Sequence, residues 1–253
     1  MSSEARISNP SDAYEIVGSW DHDSGAFTEG LVYHYGLLYE STGGNKNTRE
    51  IGLSSARRVE LKTGTILKKV PVDSDYFAEG LTIFGDQLIQ LTWRSQKALV
   101  YDLKSFEYLR EVPYREQMEG WGLTRDRFRL IMSDGTHRLR FIDPVTFETL
   151  DSLFVYEGGK PLSSLNELEY VRGEIYANIL GQDRLVRIDP QSGRMLGWVD
   201  LAKLRPKDSD VLNGIAHNPA NRHLFITGKY WPQLFEICLS PPCRCTSTIT
   251  RSS

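Results

Sequence analysis

One short pattern recurs five times along the chain, and it limits the available folds more than any other feature. An acidic or amide residue stands beside a Gly-Leu-like pair, followed by a turn and a short β-rich run. The copies read F-T-E-G-L-V-Y (27–33), F-A-E-G-L-T-I (77–83), E-G-W-G-L-T (119–124), L-N-E-L-E-Y (165–170) and L-N-G-I-A-H (212–217). Taking Gly30, Gly80, Gly122, Leu168 and Gly214 as equivalent, the copies lie 50, 42, 46 and 46 residues apart. That spacing is the length of one four-stranded propeller blade.

The interior of each copy agrees. Second strands are expected over 37–41, 87–92, 128–133, 174–179 and 223–227, and fourth strands over 65–72, 108–114, 149–156 and 194–201. Third strands run into turns with Asp, as in L-V-Y-D (99–102), R-F-I-D-P (140–144) and V-R-I-D-P (186–190). These are short runs rich in Val, Ile, Tyr and Phe, punctuated by Gly, Asn, Asp and Pro, which is a strand signature. The fifth copy stops at Pro241-Pro242, one strand short. Residues 14–20, which precede the first copy, are expected to supply the missing strand and so close the ring. The reading is an all-β, five-bladed β-propeller over 14–239, with an N-terminal tail (1–13) and a disordered C-terminal tail (240–253).

Composition removes other classes. Lys and Arg number 30 against 33 Asp and Glu, a net charge of −3, so electrostatics gives no warrant for nucleic acid or an anionic membrane. No run approaches the ~18 apolar residues of a membrane-spanning helix, and residues 1–12 lack the apolar core of a signal peptide. The compartment stays unknown from the sequence, with the cytoplasm as the default expectation and a form lacking its leader as the alternative. Cys238, Cys243 and Cys245 form an odd, local cluster rather than a disulfide framework.

The start of each copy should lie on one rim of the channel. Glu29, Glu79, Trp121, Asn166, Glu167 and Asn213 would then converge near the axis, with Trp93 and Trp231 close by. The plain alternative for any one of them is a group that satisfies loop N–H donors. A concave site with aromatic walls and a few polar groups is the usual form of a small-ligand site. A carboxylate walled by indole rings should have its pKa pushed up by desolvation, which suits proton transfer in both directions near neutral pH.

At these motifs the sequence resembles the plant and bacterial type of glutaminyl cyclase, also called glutaminyl-peptide cyclotransferase. The matching segments are F-T-E-G-L, Y-E-S-T-G (39–43), Y-F-A-E-G-L-T (76–82), L-T-W (91–93), G-W-G-L (120–123), S-D-G-T (133–136), L-N-E-L-E-Y, L-G-W (196–198), V-L-N-G-I-A (211–216) and T-G-K-Y-W-P-Q-L-F-E-I (227–237). They run in order over nearly the whole ring. The resemblance implies a five-bladed propeller and an acyltransferase that closes an N-terminal glutamine to pyroglutamate with release of ammonia. It implies Glu79 as the catalytic proton shuttle, with Phe27, Glu29, Phe77, Trp93, Trp121, Asn166 and Lys229 in the substrate pocket. It also leaves room for a structural calcium ion, while no cofactor or metal is expected to take part in the chemistry. The partners implied are peptides or proteins with N-terminal glutamine, and a closed ring is expected to be a monomer. Where plant members carry A-N-I-W, this chain has Ala177-Asn178-Ile179-Leu180, so one expected aromatic wall is missing.

Two rival readings stand beside this one. The first is a non-catalytic propeller that serves as a peptide- or protein-binding platform. The second is a metal-dependent, lactonase-like propeller with Glu29, Glu79, Asn166 and Asn213 as ligands, which a chelator would inhibit. Asp21-His22-Asp23 has ligand residue types but no supporting partner, and reads as a solvated turn. Ser41, Ser54 and Ser133 sit in no nucleophile elbow. The single Trp-Asp dipeptide, Trp20-Asp21, lies outside the repeats.

Overall fold

The computed structural model describes residues 13–44 and 53–239. Apart from Ala13, the expected tails, with Cys243 and Cys245, lie outside the described residues. Each repeat folds into a four-stranded antiparallel blade. Blade 1 holds β2 (Thr28–His34), β3 (Leu37–Thr42), β4 (Ser55–Glu60) and β5 (Ile66–Pro71). Blade 2 holds β6 (Ala78–Phe84), β7 (Gln87–Thr92), β8 (Lys97–Asp102) and β9 (Tyr108–Pro113). Blade 3 holds β10 (Leu123–Arg125), β11 (Leu130–Ser133), β12 (Arg138–Ile142) and β13 (Thr149–Phe154). A small hairpin follows, β14 (Tyr156–Glu157) with β15 (Lys160–Pro161), which the sequence reading did not foresee. Blade 4 holds β16 (Leu165–Val171), β17 (Glu174–Ile179), β18 (Arg184–Ile188) and β19 (Met195–Asp200).

Blade 5 is built from both ends of the chain. Its strands are β20 (Leu212–Asn218), β21 (His223–Gly228), β22 (Gln233–Leu239) and, outermost, β1 (Tyr14–Asp21). β1 pairs with β22 from Tyr14↔Leu239 to Asp21↔Gln233, so the ring is closed by hydrogen bonds as expected. Cys238 on β22 is disulfide-bonded.

The core lies between blades. Five clusters of buried apolar residues fill the five interfaces; Ile131 and Leu139 of blade 3, for example, pack with Leu165 and Ile175 of blade 4. The turn from third to fourth strand repeats one design. Gly64, Phe106, Phe147 and Gly193 each adopt φ between 59° and 71°, and each N–H donates back to the residue four earlier. At Phe106 and Phe147, ring burial against the core offsets the cost of a left-handed backbone. The Asp residues read as turn markers accept the loop N–H groups. Asp143 Oδ1, for instance, accepts from Val145 at 2.9 Å and from Thr146 at 2.8 Å. Phe128, expected in a strand, instead lies in a turn fixed by Asp126, whose Oδ1 accepts from the Phe128 and Arg129 N–H groups.

The inner strands are crowded. A Cβ on Gly30 would meet the backbone of Gly80 and Leu81, one on Gly80 that of Trp121 and Leu123, and one on Gly122 that of Asn166 and Glu167. At these three positions glycine is needed because the inner strand presses its backbone on the next. This corrects the sequence register by one residue: the blade 4 counterpart of Gly30, Gly80, Gly122 and Gly214 is Glu167, not Leu168. Glu167 is fully buried, and its carboxylate reaches backbone N–H groups of blades 1 and 5.

Candidate functional site

The first strand of four blades has a register break at its start, between Thr28 and Gly30, Ala78 and Leu81, Leu165 and Leu168, and Leu212 and Ile215. Such bulges re-aim a side chain out of the ladder. The re-aimed positions are Glu29, Glu79, Asn166 and Asn213, and Trp121 is their counterpart just before β10. These five stand at the same end of the inner strands of the five blades, and Glu29 and Asn213 are in direct contact.

Glu29 and Lys229 meet there. Lys229 Nζ lies 2.7 Å from Glu29 Oε1, both side chains being buried, and Nζ sits 4.1 Å from the centre of the Phe27 ring. Asn213 Nδ2 donates to the other Glu29 oxygen at 3.1 Å and to the Thr28 carbonyl at 2.9 Å. Lys229 is held by the turn after β21: its N–H donates to the Val211 carbonyl, and the Tyr230 N–H to that of Ala26. It is thus no surface ammonium.

Glu79 is buried at 7% exposure. The next residue, Gly80, donates its N–H to the Trp121 carbonyl at 2.7 Å, and Trp93 donates its own to the Phe77 carbonyl at 2.9 Å. Glu79 is thereby fixed between the segments that carry three aromatic rings. Beneath it the Tyr114 hydroxyl donates to the Thr92 carbonyl at 2.9 Å. Burial, with the charge of Glu79 adding to it, pushes the phenol well above its usual range. The rings form a connected wall: Phe27 contacts Tyr230 (5.2 Å between centres) and Phe77 (6.1 Å), and Phe77 contacts Trp93 (5.8 Å). Asn166 is buried, and its carbonyl accepts from the Ser133 hydroxyl at 2.7 Å. Leu180, with 40% exposure, is joined through its N–H to the Ser164 carbonyl.

Three sequence readings change. Glu167 does not face the mouth: it takes the plain role of binding backbone N–H groups, those of Leu31 (3.3 Å) and Ile215 (2.9 Å), across the channel. Desolvation, aided by Glu169, raises its pKa well above the usual carboxylate range. Trp231 is a core residue, fully buried, with Nε1 donating to the Asp210 carbonyl. Asp21-His22-Asp23 is no solvated turn, because the His22 side chain is buried and paired with Glu40 at 3.0 Å. Among the described residues no group of three His, Cys, Asp or Glu is placed to hold a metal ion, and no helix is long and apolar enough to cross a membrane.

A sequence profile described as glutamine cyclotransferase matches residues 1–239. The chain belongs to the glutamine cyclotransferase family. It is 40% identical over 234 residues to a glutaminyl-peptide cyclotransferase of Arabidopsis thaliana, covering 89% of this chain and 71% of that protein. The crystal structure of Myxococcus xanthus glutaminyl cyclase superposes with a TM-score of 0.80 at 34% identity, covering 90% of this chain and 96% of that one. The WD40 propeller domain of Doa1, at 10% identity and a TM-score of 0.51, covers 84% of this chain and 64% of that one and shares the fold alone. The five-bladed ring counted from the repeats is thus the fold of this cyclotransferase family.

Proposed function

We propose that this protein is a glutaminyl-peptide cyclotransferase acting on peptides or proteins with N-terminal glutamine. In the reaction the substrate's α-amine attacks its own side-chain carboxamide carbon. The new C–N bond closes the five-membered ring, the old C–N bond breaks, and ammonia leaves. A reference pKa of about 7.7–8.0 gives the α-amine a useful neutral fraction near neutral pH. The protein must then hold a near-attack geometry, take the amine's proton, steady the oxyanion and return a proton to the departing nitrogen.

The observation that supports this reading is that Glu79 is buried, on a bulge at the start of β6, between the backbones of Phe77 and Trp121. One carboxylate can accept the amine's proton and deliver it to the leaving ammonia, so no external base is consumed. Asn166 and Lys229 are suited to the carboxamide oxygen. An ammonium has three N–H donors, so pairing with Glu29 leaves Lys229 others to offer. Phe27, Phe77, Trp93 and Trp121 are suited to enclose the aliphatic part of the glutamine and to exclude water.

The test is incubation with a Gln-initiated dipeptide, following both ammonia and the pyroglutamyl product. Release in a one-to-one ratio, insensitive to a strong chelator, is expected. Absence of release would reject the activity, and loss of release on chelation would favour metal chemistry instead.

A further inference from the structure

The equivalence of the blades points to a residue that the site so far leaves aside. Two positions before the ring residue, blades 1 and 2 place the wall aromatics Phe27 and Phe77; blade 3 places Glu119 there. Its carboxylate faces two tryptophans at once. Oε2 accepts from Trp93 Nε1 at 2.7 Å and from Trp121 Nε1 at 3.0 Å, while Oε1 accepts from Arg94 Nε at 2.9 Å. The Arg94 guanidinium in turn lies 3.7 Å from the centre of the Trp93 ring. Gly135 leaves the space into which the six-membered ring of Trp121 fits.

We infer that Glu119 is a positioning residue, a carboxylate clamp that fixes the planes of Trp93 and Trp121 so that the glutamine side chain enters a preformed slot. This rests on the substrate reading above. An indole offers a single N–H donor, and charge-assisted bonds from it are stronger than neutral ones. Two indoles from neighbouring blades sharing one oxygen are therefore locked relative to each other as well as to the ring. Burial works against the Glu119 charge, but the bonds from Trp121, Arg94 and Trp93 outweigh it and hold the pKa below the ordinary value. The clamp thus keeps its charge throughout the neutral range. Glu119 does not reach the reacting atoms in this scheme; it acts through the two rings.

Two readouts test the clamp, one independent of turnover. In 15N-labelled protein the indole N–H resonances of Trp93 and Trp121 are assigned with Trp93→Phe and Trp121→Phe. Both should move together in Glu119→Ala, and by a smaller amount in Glu119→Gln, which keeps one acceptor oxygen. With a Gln-initiated dipeptide, Glu119→Ala should raise KM at least tenfold and lower kcat less than threefold, with partial rescue in Glu119→Gln. Movement of neither or only one indole resonance overturns the clamp, as does a KM within twofold of wild type or a loss confined to kcat. If the wild-type protein releases no ammonia, the substrate reading fails. The indole resonances and the dissociation constant of the dipeptide then decide the clamp alone, and Glu119→Gln serves for both if the alanine variant does not fold.

Discussion

A lysine ammonium buried against a carboxylate gains its Coulomb energy only after both ions lose their water, so the pair is worth most as a pair. Removing one partner leaves an uncompensated charge and typically costs 3–5 kcal/mol, while replacing both costs much less. Lys229 and Glu29 are such a pair, with side chains 8% and 3% exposed. Lys229→Met should therefore lower folding stability by about 3–5 kcal/mol, and adding Glu29→Gln should restore most of it, as read from urea unfolding midpoints. Equal losses in the single and double variants would contradict the pairing. Glu29 was legible in the sequence because it stands inside a repeated motif, and Lys229 because its segment resembles the family's. Their contact was not legible, since it joins residues 200 positions apart. Glu119 was visible as part of E-G-W-G-L, but the clamp depends on Trp93, which comes from the preceding blade, and no spacing rule links the two.

At the scale of elements, the segment after β1 helps to hold the turn after β21. His22 donates its backbone N–H to the Pro232 carbonyl, and its Nδ1 donates to the Trp231 carbonyl at 2.7 Å. Its Nε2 faces Glu40, which also accepts from the Thr28 hydroxyl at 2.8 Å and lies 3.7 Å from Arg57. Both imidazole nitrogens thus face acceptors, which suits the charged ring. Burial opposes that charge, but Glu40, the Trp231 carbonyl and Asp23 outweigh it, so the pKa of His22 is raised. Burial likewise opposes the Glu40 charge, yet His22, Arg57 and Thr28 bring its pKa below the usual value. The stability due to His22 is fully present below its unfolded pKa of about 6.5 and is lost as pH rises through the folded value. That due to Glu40 is present above about 4.5 and is lost as pH falls through its own lowered value. His22→Gln should therefore lower the melting temperature most between about pH 4.5 and 6.5, with the gap narrowing at alkaline pH. A gap independent of pH would contradict the charged state. The strands themselves were readable from alternation and turn residues. The bulges were not, because an extra residue in one strand shows only in the pairing. The hairpin of β14 and β15 was missed because two residues per strand leave no alternation to detect.

Across the whole ring, inner strands press on their neighbours at Gly30, Gly80 and Gly122, and one glutamate links three blades. Glu167 binds backbone donors of blades 1 and 5 at once, and two residues deeper Glu169 accepts from the His217 N–H at 3.0 Å and from the Thr124 hydroxyl at 3.1 Å. Desolvation, only partly countered by these bonds and by Arg125, pushes Glu169 up to about 7. An acid whose folded pKa is raised favours the fold most when protonated. Its contribution is full below about 4.5 and is lost as pH rises to about 7. Glu169→Gln should flatten the fall in urea midpoint across that window, and an unaltered slope would place the titration elsewhere. Blade number and ring closure were legible because they follow from repeat spacing and a missing strand. The bonds from Glu167 to blades 1 and 5 were not, because they join residues 136 and 48 positions apart. The account as a whole depends on the carboxylate of Glu79 carrying a proton from the amine to the leaving nitrogen. Single-turnover ammonia release from a Gln-initiated dipeptide, compared between wild type and Glu79→Gln, tests this most directly. A drop on the order of 10²-fold or more, with substrate binding retained, is the predicted result; equal rates would contradict it.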